Sequence, residues 1–191
     1  MSIKEMSVSM FAVTYRGTVY PWQCDHMGHM NVMWYVGKFD EASWQLLSAL
    51  GLTRARFRKE NTGMAAVEQR IEYKRELFAG DIVTVRSAVI EVKDKAIRMT
   101  HEMRNDETDE LVAVTLVVGV YLDAVARKVR SLPSDVWEQA KLMISCGDVE
   151  RTNFEPELEL ARRNAGSTAP SAAEGTASSA HPAAMLLGSC W

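Results

Sequence analysis

The residues Trp22-Gln-Cys-Asp-His-Met-Gly-His-Met-Asn31 run straight into a helical pattern, and that junction decides the fold. From Val32 the apolar side chains Tyr35, Val36, Phe39, Ala42, Leu46, Leu47 and Leu50 recur with helical period, and Gly51 supplies a C-terminal stop. Trp34 and Trp44 widen the apolar stripe, which predicts a long helix enclosed on most of its sides. Asn31 is a good N-cap, so the quoted stretch reads as a glycine-bent loop ending on a helix N-terminus. Such an end presents unpaired backbone N–H groups that can hold developing negative charge. Asp25, with His26 and His29 beside it, therefore faces a donor site, an arrangement suited to attack on a carbonyl.

On either side of this helix the sequence reads as β-structure. Residues 11–20 are rich in β-formers and stop at Pro21. After a basic connector (Arg54, Arg56, Arg58, Lys59), Val67, Gln69, Ile71, Tyr73, Arg75 and Leu77 alternate with charged residues, which predicts a strand with one wet face. Ala79-Gly80-Asp81 turns the chain into a β-rich run over 82–92, and Lys93-Asp94-Lys95 turns it again. Ile97, Met99, His101 and Met103 line the apolar face of the next strand, so His101 is expected in a core or an interface. Residues 111–122 read as a strand covered on both faces, and a short helix starts at Pro133 and runs to about Met143. The expected class is α+β, a strand and one long buried helix followed by a four-strand antiparallel meander.

Composition narrows the partners. The chain has 191 residues, 47% hydrophobic and 25% charged, and a net charge of −3. That is enough for one domain, placed at 1–150, and the balance gives no basic field for nucleic acid. Residues 151–191 read as a tail, disordered from about 161, where Ala, Ser, Gly, Thr and Pro dominate. Cys24, Cys146 and Cys190 are odd in number and widely spaced, which suits reduced thiols in a cytoplasm. The first ten residues hold no signal-peptide apolar run. The longest apolar run, 111–122, is shorter than the roughly 20 residues a membrane-spanning helix needs. No membrane association is expected. No metal is expected either, since His26 and His29 have no third ligand in the sequence.

With this element order the chain resembles the hot-dog fold, an antiparallel sheet wrapped around one long central helix. Asp25-His-Met-Gly-His-Met-Asn31 resembles the D-x-x-G-H-x-N signature of the 4-hydroxybenzoyl-CoA thioesterase-like family. Phe39-Asp-Glu-Ala-Ser43 and Leu77-Phe-Ala-Gly-Asp-Ile-Val83 are similar to further stretches of that family, and the likeness covers about residues 11–145. Two departures stand out. Gln23 occupies a position where many members carry a second acid, and the G-H-x-N spelling is not that of the 4-hydroxybenzoyl-specific members.

The resemblance implies hydrolysis of small-molecule acyl-CoA thioesters, with coenzyme A as part of the substrate and no separate cofactor. It also implies two subunits joining their sheets, hence a homodimer or homotetramer with each site at the interface. Asp25 is the candidate nucleophile or general base. Asn31 is expected to cap Met33 or Trp34 and leave the Val32 N–H free as oxyanion donor, the position the family also assigns to it. His29 is placed as a loop-ordering or participating residue, and Glu41 as a lesser candidate. Arg54 and Arg56 are candidates for the phosphates of coenzyme A. Cleavage of acyl-carrier-protein thioesters and non-catalytic acyl-CoA binding are the competing readings.

Overall fold

The computed structural model describes residues 11–144; the expected tail, Cys146 and Cys190 lie outside them. The elements are β1 (Ala12–Thr18), a 3-10 turn at Pro21–Gln23, α1 (Val32–Ala49), α2 (Arg54–Glu60), β2 (Thr62–Tyr73), β3 (Ile82–Val92), β4 (Ala96–Asn105), β5 (Leu111–Asp123), β6 (Lys128–Val129) and α3 (Ser134–Leu142). All strands pair antiparallel in one sheet of order β1-β3-β4-β5-β2, with β6 added to β5. The helix α1 packs against β1, β3 and β4. This is the hot-dog fold.

Four expectations need correction. The strands do not form a simple meander, because β2 pairs with β5 at one edge of the sheet while β1 takes the free side of β3. Residues 74–81 are therefore a crossing segment, not a hairpin turn. The β2 strand also starts and ends earlier than its alternating pattern suggested. A bulge at Val67 breaks its period, and Val67 is 61% exposed. The basic connector contains α2, capped by the Thr53 side chain and closed by Asn61 in the left-handed region. Finally, α1 is not enclosed on most sides: Tyr35, Phe39, Ala42, Leu46 and Leu47 are buried, whereas Val32, Met33 and Val36 are exposed.

The core has two clusters along α1. Val19, Met30, Tyr35, Phe39, Leu77, Val83, Val85 and Met103 pack near its start, and Leu46, Leu47, Leu50, Ile97, Val117 and Tyr121 near its end. The run Val112 to Val117 in β5 is buried without a break, as a strand covered on both faces requires.

His101 is a core histidine, fully buried, with its ring nitrogens 3.0 Å from Ser43 Oγ and 2.5 Å from Ser87 Oγ. The Ser43 hydroxyl donates to the Phe39 carbonyl, so Nε2–H donates to Ser43 and Nδ1 accepts from Ser87. Burial lowers the His101 pKa from 6.5 to about 4. The unfolded chain therefore binds this proton first, and stability is lost as pH falls from about 6.5 towards 4, by up to about 3 kcal/mol. Urea unfolding at a series of pH values should show this slope in the wild type and a smaller one in His101→Gln.

Candidate active site

The loop that carries Asp25 is built from short-range hydrogen bonds. The Asp25 N–H donates to the His29 carbonyl at 3.1 Å, and the Gly28 N–H donates to the Asp25 carbonyl at 3.0 Å. Gly28 has φ +86, a left-handed conformation that glycine adopts without strain, which is why the loop can turn back within four residues. Two longer contacts seat it. The Met30 N–H donates to the Leu77 carbonyl at 2.7 Å, and the Asn31 N–H to the Gln23 carbonyl at 2.9 Å. The crossing segment 74–81 and the 3-10 turn thus hold the two sides of the loop.

Asn31 then joins the loop to the helix. Its Oδ1 accepts from the Met33 N–H at 3.1 Å, and its Nδ2 donates to Asp25 Oδ2 at 3.0 Å. The other Asp25 oxygen accepts from the Met27 N–H at 2.9 Å. These two bonds, that from Met27 first, hold the Asp25 pKa below its ordinary value of 3.8, so the group is an anion at neutral pH. The Trp34 N–H is taken by the Asn31 carbonyl. The Val32 N–H has no acceptor among the described residues. An ionised carboxylate and an open N–H at the positive end of an 18-residue helix are therefore tied to each other through Asn31.

The other candidates make no hydrogen bond to the Asp25 side chain. The His29 imidazole is turned to Glu76, with Nε2 3.7 Å from its Oε1, and makes no hydrogen bond to Asp25. Its backbone carbonyl is what meets the Asp25 N–H. Arg54 is exposed on α2. Arg56 is held by both carboxylate oxygens of Asp135, at 2.6 and 3.0 Å, and by Glu60 at 3.0 Å. Glu41 is exposed on α1. Gln23, where an acid was absent, is buried and accepts the Tyr20 N–H at 3.0 Å, so it shapes the turn before Asp25. Among the described residues no group of three or more His, Cys, Asp or Glu converges on a metal site. No helix among them is long and apolar enough to cross a membrane.

Two features were missed from the sequence. Trp22, 68% exposed, stacks on Tyr20 with centroids 4.3 Å apart and planes 6° apart, next to the loop. Their spacing two apart across Pro21 was the available signal. Lys38 is the other, a cation on the buried stripe of α1.

No curated protein matches the chain. Among solved structures, a hypothetical protein from Staphylococcus aureus in complex with CoA superposes with a TM-score of 0.68 at 17% identity, covering 74% of this chain and 90% of its own. The 1,4-dihydroxy-2-naphthoyl-CoA thioesterase from Synechocystis gives 0.61 at 19% identity, over 68% and 95% of the two chains. A gentisyl-coenzyme A thioesterase gives 0.59 at 24% identity, over 66% and 98%. These likenesses concern the fold. Residues 19–140, from the end of β1 through the Asp25 loop and into α3, match the model of the thioesterase-like superfamily, and the protein belongs to that superfamily.

Proposed function

We propose that the protein hydrolyses acyl-CoA thioesters to the free acid and coenzyme A. The observation that carries this is the Asp25 carboxylate fixed by Asn31 against a helix start whose Val32 N–H is open. The thioester oxygen would accept that N–H, which binds it more tightly as it gains charge. Asp25 would supply the attacking oxygen, directly or by deprotonating water. The new C–O bond gives a tetrahedral oxyanion, which collapses with cleavage of the C–S bond. By the water route, the proton taken by Asp25 passes to the departing thiolate. By the direct route, the thiolate takes a proton from solvent, and a water molecule then opens the mixed anhydride to release the acid and restore Asp25. His29 orders the loop through its backbone.

CoA in one structural neighbour and CoA thioesters in the names of two others support the substrate class. Arg54 is the freer candidate for a phosphate contact, since it is exposed and Arg56 already has carboxylate partners. Two copies would complete the site. The 12-residue β2 has an unpaired outer edge, and Val32, Met33 and Val36 are exposed on the first turns of α1.

Release of free CoA from aryl-, short- and long-chain acyl-CoAs, followed with a thiol reagent, tests the reading. Turnover of at least one class at kcat above about 1 s⁻¹ is expected. Binding of acyl-CoA without release would make the protein a binding module instead. Light scattering in the same buffer should give a mass of two or four chains.

A further inference from the structure

Lys38 lies on α1 between Tyr35 and Ala42, and only 3% of it is exposed. Its ammonium donates to the Tyr15 hydroxyl at 2.9 Å and to the Thr18 carbonyl at 3.3 Å. No carboxylate pairs with it among the described residues. Burying a cation on neutral acceptors alone is costly, and a methionine would fill the same stripe without that cost. The surroundings are shaped for it nonetheless. The Tyr15 ring lies along β1 over Gly17, where an added Cβ would run into the phenol hydroxyl. A glycine within a strand weakens it, and here it is what lets the phenol lie flat and reach Lys38.

The place of this contact in the fold gives it a role. Thr18 is the last residue of β1, and the segment that leads to Asp25 begins at Val19. That segment returns to the scaffold at Asn31, the cap of α1. Lys38 therefore joins the departure point of the loop to the helix on which the loop ends. We propose that Lys38 is a positioning residue: its ammonium, held by Tyr15 and Thr18, fixes β1 against α1 and thereby sets Asp25 relative to the Val32 amide. The proposal rests on the reading of Asp25 and Val32 as the reacting pair. Small displacements of such a pair are expensive, since about 1 Å can cost 10²-fold in rate.

Lys38→Met and Gly17→Ala test it in the full-length protein. The first removes the ammonium and keeps an apolar stem of similar length. The second displaces the Tyr15 phenol and leaves the charge in place. Both should lower kcat about 10- to 100-fold with KM near wild type. Both should also speed amide hydrogen exchange at Asp25, Met30 and Asn31 while amides of β4 and β5 stay protected. Exchange is read without substrate, so it decides the role of Lys38 even if the wild type releases no CoA. Unchanged exchange at the three loop amides overturns the proposal. So does a variant whose exchange rises equally across β4 and β5, because Lys38 would then only stabilise the fold. Wild-type kcat in a variant with a loosened loop overturns it as well.

Discussion

Asp25→Asn is expected to lower kcat by at least about 10²-fold, since loss of a positioned base or nucleophile typically removes 10²- to 10⁴-fold. The far-ultraviolet circular dichroism should be unchanged. The substitution keeps the size of the side chain but replaces an anion that accepts two hydrogen bonds, from Met27 N–H and Asn31 Nδ2. A neutral amide keeps one acceptor oxygen and sets an NH2 group against one of those donors, so some loosening of the loop accompanies the loss of charge. Near-wild-type turnover in this variant would remove Asp25 from the mechanism. Single-turnover hydrolysis in ¹⁸O-water separates its two roles. Label in the Asp25 carboxylate after one turnover means that the carboxylate attacked; label confined to the product, with no acyl-enzyme trapped by hydroxylamine, means that water did.

The pH dependence should carry the same signature. With its pKa held below 3.8, Asp25 stays ionised well below neutrality and sets no acid limb there. Protonation of His101 between about pH 6.5 and 4 should lower stability, so loss of activity over that range should follow loss of structure and not titration of Asp25. Activity and a structural probe should therefore fall together in the wild type.

What could be read from the chain alone was what is local in it. The apolar spacing of Tyr35, Phe39, Ala42 and Leu46 specifies α1 within a few turns, and an Asn at its head specifies a cap. The pairing of β2 with β5 joins Thr62 to Asp123 across some sixty residues, and no local pattern contains that choice. The alternation from Val67 to Leu77 was real as a pattern, but the bulge and the crossing segment divided it. Arg54, Arg56, Arg58 and Lys59 hid a helix because charge reads as connector, while Thr53 and Asn61 were its true signals. Lys38 is hidden in the same way, a charged residue on an otherwise apolar stripe. The loop itself was legible as a constellation, but the direction of the His29 ring was not. It depends on Glu76, which arrives from the crossing segment.

Val32→Pro isolates the remaining half of the proposed chemistry. Val32 is the first residue of α1, and proline is favoured at that position because its missing N–H has no helical partner to lose. Asn31 sits at φ −67 and ψ 145, the extended conformation that a residue preceding proline prefers. The Asn31 side chain caps Met33 and not Val32, so the cap should survive the substitution. Thermal unfolding should therefore stay close to wild type, while kcat falls by about 10²- to 10³-fold, the loss typical of one oxyanion donor. Val32→Ala keeps the N–H and trims a side chain that is 55% exposed, so it should turn over nearly as the wild type does. The contrast between the two substitutions at one position separates the amide from the side chain. Equal activity in both would place the oxyanion donor on another group, and equal loss in both would point to the side chain as a wall of the acyl pocket.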